Sequence, residues 1–243
     1  MNTTLNYSPN FDLKKRRVNQ IKFVIFHYTG MRRESDAIKK LTIEKSKVSC
    51  HYLIKSNGEI LMLVPELYIA WHAGISIWKK YKLINKFSIG IELSNPGHEH
   101  NYKKFSKRQI NSLIKLGKFL IRKYKIKPSS FLGHSDIAVD RKKDPGEKFP
   151  WKYLSKKKIG LWHDLNQSFT KKKRNIKLDK NDKFKFFKNL SKIGYPEVKF
   201  IYDTKYTKLI TKAFQRRFRQ ELINGIIDLE CLVISDNIVK KLK

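Results

Sequence analysis

Residues 21–27, IKFVIFH, form an apolar run of β-branched and aromatic side chains, interrupted only by Lys22, that ends in a histidine. Such a run predicts a buried strand, and a chain that contains it must build a sheet with other layers packed on it. A second run, FSIGIEL at 87–93, predicts another strand with Glu92 near its end. Between them, HYLIKSNGEILMLV at 51–64 holds two apolar stretches joined by Asn57-Gly58, a strong hairpin signal. Residues 34–44 suit a short helix, and 106–124 predict the clearest one. There Ser106 and Gln109 form a capping box, and Ile110, Leu113, Ile114, Gly117, Leu120, Ile121 and Tyr124 follow the helical period. A short strand near 131–134 follows. The alternation predicts an α/β or α+β arrangement around one sheet.

The composition shifts at 168–185, SFTKKKRNIKLDKNDKFK, which is basic and nearly free of aliphatic residues. Beyond it, 183–193, 204–220 and 228–242 each show a helical pattern, with Asp228 as cap of the last. The expected organisation is therefore an N-terminal arm over 1–20, a main domain over 21–167, a basic linker over 168–182 and a small three-helix domain over 183–243. The formal charge of +33, from 54 Lys+Arg against 21 Asp+Glu, favours polyanionic partners. It also fits a coding bias towards Lys, Ile, Asn, Phe and Tyr. No helix-turn-helix, zinc-finger or RNA-binding signature is present, so no specific nucleic-acid partner is expected. Cys50 and Cys231 lie far apart, and no disulfide is expected between them. The first 17 residues hold no apolar signal core, and no run approaches the roughly 18 apolar residues of a membrane span. These features lead us to expect a cytoplasmic protein with no transmembrane segment, the periplasm or cell envelope being the alternative.

Seven histidines invite a chemical reading. His27 and His134 each end an apolar strand, where side chains emerge at a sheet's carboxyl edge. Asp144 follows ten residues after His134, just before Pro145-Gly146 turns the chain back. Two imidazoles and a carboxylate suit catalytic zinc with one open position, although the same residue types are common at strand ends for ordinary reasons. Glu92 could serve as a general base beside such a metal, and Lys142 could hold a developing oxyanion. Lys142 lies two residues before Asp144, so in an extended segment both point to the same side. His72 sits in WHAG with Trp71 and Gly74, a mix that suits a groove facing substrate. His51 reads either as a core histidine or as part of the site wall. His98 and His100 read as solvated loop residues, His163 as a surface residue, and Arg141 and Lys143 as flanking charge.

Five segments in order carry a resemblance: FHYTG (26–30), SCHYLIKSNGEILMLVPE (49–66), AWHAG (70–74), SIGIELSNPGHEHNY (88–102) and GHSDIAVDRKKDPGEKFPW (133–151). Together they resemble the zinc-dependent N-acetylmuramoyl-L-alanine amidases, whose fold is shared with peptidoglycan recognition proteins. The resemblance spans roughly residues 20–165. It implies a mixed central sheet flanked by helices, with one zinc per chain on His27, His134 and Asp144. It further implies Glu92 as the catalytic glutamate and Lys142 as the lysine that steadies the intermediate. Trp71 and His72 would line the substrate groove, with His51 as a further candidate there. The implied reaction is hydrolysis of the amide between N-acetylmuramic acid and L-alanine, in peptidoglycan or in muropeptides. A non-catalytic peptidoglycan-binding protein is the alternative. The stretch 209–234, with AFQRRF and a G-x-x-D element, resembles the three-helix peptidoglycan-binding domain found behind some of these amidases. It could equally be a structural cap.

Overall fold

The apolar run becomes the centre of a six-stranded sheet in a computed structural model that describes residues 3–198 and 204–242. In chain order the strands are β1 (Thr4–Leu5), β2 (Phe11–Asp12), β3 (Phe23–Tyr28), β4 (Tyr52–Ile54), β5 (Ile60–Met62), β6 (Ile69–Ala70), β7 (Ile77–Trp78), β8 (Tyr81–Lys82), β9 (Ser88–Leu93) and β10 (Phe131–Gly133). The helices are α1 (Glu34–Thr42), α2 (Lys107–Tyr124), α3 (His134–Ile137), α4 (Trp151–Ser155), α5 (Gln167–Lys172), α6 (Lys180–Ile193), α7 (Thr204–Phe218) and α8 (Leu229–Lys240). The main sheet runs β1-β5-β4-β9-β3-β10, and only the β4–β5 pair is antiparallel. Strands β4, β9, β3 and β10 therefore point their carboxyl ends the same way.

Period-two alternation divides β3 between two cores. Val24 and Phe26 pack with Ile110, Leu113, Leu116 and Leu120 of α2 and with Phe149 and Trp151. Phe23 and Ile25 face the other way, into a layer with Leu132, Phe186, Leu190, Ile210 and Phe214. Helices α6, α7 and α8 thus cover the second face of the sheet, and their core is continuous with it.

Two segments are more structured than their sequence suggests. The described part of the arm is paired: β1 adds to the main sheet beside β5, β2 forms a separate two-stranded sheet with β6, and Arg16 is buried. Strands of two residues are too short to leave a periodic signal. The basic stretch 168–182 carries most of α5 and the start of α6, and it binds the amino end of α8. The Arg174 guanidinium grips the buried Glu230 carboxylate through two bonds of 2.6 and 3.0 Å, and Lys177 forms a β-bridge with Asp228. Its backbone completes a helix terminus, the Ile176 and Lys173 carbonyls accepting the Leu229 and Glu230 amides at 3.0 and 3.1 Å, a role that composition does not reveal. Residues 199–203, inside the expected helical unit, lie outside the described residues.

Local signals are realised elsewhere. The Ser106 hydroxyl accepts from the Gln109 amide, closing the capping box of α2, and the Asp228 side chain accepts from the Cys231 amide at α8. The 55–59 turn places Gly58 at φ +91°, which supports a three-residue hairpin loop. Both cysteines are free and buried. No described helix is long and apolar enough to cross a membrane.

Candidate active site

Parallel β3, β9 and β10 end at one edge, and their last residues form the site. His27 pairs in register with Glu92 across β3 and β9. His134 opens α3 directly after β10, and the following loop returns to place Asp144 beside it, ahead of a cis Asp144–Pro145 peptide. His27 Nδ1, His134 Nδ1 and Asp144 Oδ2 lie 3.0 Å from one another, and all three residues are buried. They form a group able to hold a metal ion.

The surrounding hydrogen bonds assign the protons. The Ser88 hydroxyl donates to the Ile84 carbonyl (2.8 Å), so its oxygen is free to accept from His72 Nε2 at 3.2 Å. That leaves His72 Nδ1 as an acceptor, 3.0 Å from His27 Nε2, which must then carry the proton. His134 Nε2 donates to the Ala73 carbonyl at 3.1 Å. Both Nδ1 atoms are therefore bare lone pairs, facing each other and a carboxylate oxygen. Burial, followed by the neighbouring His134, lowers the pKa of His27 to about 4, so it does not protonate at neutral pH. Three acceptors converging without a proton call for a cation. A tetrahedral ion about 2.0–2.1 Å from each donor would separate them by roughly 3.3 Å, close to what is observed.

Glu92 and Lys142 border the same cleft of about 340 Å³, which Thr29, Trp71 and His98 also line. Burial, then the Asp144 charge, pushes the Glu92 carboxyl up to about 8, against the pull of Lys142 and Lys40. Its Oε2 is buried without a hydrogen-bond partner among the described residues. A buried carboxylate that is hard to ionise and unsatisfied is suited to taking and returning a proton.

Other expected site residues fall into different roles. Trp71 lines the cleft, held by a 2.7 Å bond from its indole to Asp12 of the arm. His72 stands behind His27 and orients it. A Cβ built on Gly90 would overlap its ring, so the glycine of GIEL makes room for this histidine. His51 is not in the cleft. It is fully buried, accepts from the Gly90 amide (2.9 Å), and turns its other nitrogen to the Tyr68 carbonyl (3.1 Å) beside Arg16. Arg141 is more than flanking charge, since its guanidinium donates to the carbonyls of Ala73 and Ile75 and holds WHAG against the loop that carries Asp144. His98 is not merely solvated; it links Tyr28 (2.8 Å) to Glu147 (3.0 Å) at the cleft rim. His163 is half-buried and stacks on Trp162. Sequence reasoning misses Asp136, whose carboxylate binds the Gly133 amide, Tyr195 and Arg217. Its only local clue is its place in GHSDIA.

Comparison with known proteins gives concordant findings. Residues 17–147 match the family Amidase_2, N-acetylmuramoyl-L-alanine amidase. The N-acetylmuramoyl-L-alanine amidase AmiD of Escherichia coli is 36% identical over 234 residues, covering 91% of this chain and 83% of that protein. The 1,6-anhydro-N-acetylmuramyl-L-alanine amidase AmpD of Haemophilus influenzae is 35% identical over 61% of this chain and 88% of its own length. A solved structure of the E. coli AmiD amidase, in complex with the substrate anhydro-N-acetylmuramic acid-L-Ala-D-gamma-Glu-L-Lys, has a TM-score of 0.82 at 34% identity. It covers 95% of this chain and 93% of that one.

Proposed function

The chain belongs to the N-acetylmuramoyl-L-alanine amidase family, and from that premise we propose how its own residues cleave the amide bond between N-acetylmuramic acid and L-alanine. The observation that carries the proposal is the convergence of His27 Nδ1, His134 Nδ1 and Asp144 Oδ2, all proton-free, beside Glu92 and Lys142. His27, His134 and Asp144 hold one zinc ion per chain. When bound, zinc supplies a Lewis acid for the amide carbonyl and lowers the pKa of water at the site. Glu92 takes a proton from the attacking water and passes it to the nitrogen of the departing L-alanine. The Lys142 ammonium holds negative charge on the carbonyl oxygen while the carbon is tetrahedral. Trp71 offers an aromatic wall to the substrate, and Asp12 fixes its orientation. His72 and the Ala73 carbonyl fix the tautomers of the two ligand imidazoles, which makes WHAG part of the metal's outer shell as well as a cleft wall.

The substrate is a peptidoglycan-derived muropeptide. The anhydro-muropeptide in the AmiD complex supports soluble 1,6-anhydro fragments as acceptable to this chain as well. The test is digestion of soluble anhydro-muropeptides and, separately, of intact sacculi by the zinc-loaded protein, with products identified by mass spectrometry. Free stem peptide from soluble fragments is expected. No peptide from either substrate would overturn the reading and leave a binding protein. Release from soluble fragments fits the cytoplasmic setting expected from sequence, whereas release from sacculi fits the envelope.

A further inference from the structure

The AFQRRF segment, 213–218, has its polar side chains turned inward: Gln215, Arg216 and Arg217 are all buried. Arg217 reaches from α7 to the strand and helix on either side of His134. Its Nη2 donates to the Phe131 carbonyl of β10 at 3.1 Å, and its Nη1 to Asp136 Oδ2 of α3 at 3.2 Å. The same Asp136 oxygen accepts the Gly133 amide at 2.8 Å, and its partner oxygen accepts the Tyr195 hydroxyl at 2.7 Å. Asp136 thus folds back across the turn that aims His134. Both charges of the pair are within a few per cent of full burial, at 4% and 2% exposed. A carboxylate so placed needs all its donors, because a lost partner leaves an uncompensated buried charge that the turn must move to relieve. Two residues beyond Phe218, Gln220 donates to the Phe149 carbonyl at 2.8 Å, at the far end of the same loop. Within the loop, the Ser135 amide bonds to the Asp144 carbonyl at 2.8 Å, so a shift at 133–136 carries Asp144 with it.

We propose that Arg217, acting through Asp136 together with Tyr195, is a positioning residue for the ligand pair His134 and Asp144, so that the helical tail is a working part of the metal centre. The inference rests on the metal reading above. It assigns the arginine of AFQRRF an internal task and does not require the tail to bind glycan. Arg217 of α7 holds the near end of the metal loop and Gln220, just past the helix, holds the far end, so the loop keeps its shape only while the helix is docked.

The test uses the full chain with Arg217→Gln, Arg217→Lys and Tyr195→Phe. Phe186→Leu serves as a control that thins the α6–α7 core without touching Asp136. Zinc affinity is measured by chelator competition, and the visible spectrum of the cobalt-substituted protein reports ligand geometry. Circular dichroism establishes that each variant is folded. Arg217→Gln is expected to weaken zinc by about ten-fold or more and to change the cobalt bands. Tyr195→Phe should weaken it a few-fold, and Arg217→Lys should fall between Gln and wild type. Phe186→Leu should lower Tm and leave zinc affinity unchanged. Wild-type affinity and spectrum in folded Arg217→Gln would overturn the proposal. If that variant does not fold, an unchanged Tyr195→Phe would do so. Equal weakening by Phe186→Leu would also overturn it, by reducing the effect to general destabilisation. A wild-type protein that takes up no zinc would instead strike the metal reading itself, and this inference with it.

Discussion

At the scale of single residues, the site is a problem in proton placement. Two imidazole lone pairs and a carboxylate oxygen meet because each imidazole spends its only proton on an acceptor behind it, His72 or the Ala73 carbonyl. Removing such an acceptor loosens the ligand, so His72→Ala is expected to weaken zinc by about 10–100-fold, as read by chelator competition. Glu92→Ala should retain zinc and lose turnover by about 100-fold or more, and retained activity would remove Glu92 from the mechanism. The raised Glu92 pKa also has a consequence for stability. Between the ordinary 4.5 and about 8, the folded metal-free protein keeps a proton that the unfolded chain releases. Stability of the metal-free protein therefore falls as pH rises through that window. Metal-free Glu92→Gln should gain stability over wild type across the same window, with the gain levelling off above it. Urea melts at either end of the window check this, and an identical difference at both pH values would contradict it.

At the scale of elements, local chemistry sets most boundaries. Helix α2 starts where Ser106 and Gln109 cap it, and α8 starts at Asp228. Ser106→Ala is expected to cost about 1 kcal/mol in thermal or urea unfolding and to leave zinc affinity unchanged. The apolar runs at β3 and β9 were legible because a central strand needs continuous hydrophobicity. Strands β1 and β2 were not legible, since two residues carry no period and owe their pairing to neighbours supplied by β5 and β6. Helix α5 was masked by its lysines and by Arg174 just beyond it, whose acidic partners lie more than 40 residues away in α8 and at Glu221.

At the scale of the whole molecule, the sheet is covered on both faces, and the second cover is the helical tail. Phe23, Ile25 and Leu132 would be exposed without α6, α7 and α8. Calorimetry should therefore show one unfolding transition, whereas two would indicate a tail that folds on its own. The +33 charge adds a long-range effect. Attraction of the carboxylates in peptide stems should make the rate on polymeric substrate fall as salt rises towards about 0.5 M, through screening. A flat salt dependence would exclude steering.

The sequence by itself determined the central strands and the helix caps, which follow from short-range rules. It pointed to His27, Glu92, His134, Lys142 and Asp144 through a family resemblance carried by five separate segments. Only the tertiary structure decided that His51 is a core histidine joining Gly90 to Tyr68, that His72 stands behind His27, and that Arg217 reaches Asp136 across 81 residues of sequence. The physical reason is the same in each case. A buried polar group is defined by the partner that satisfies it, and that partner is chosen by packing between elements whose spacing along the chain carries no record of their contact.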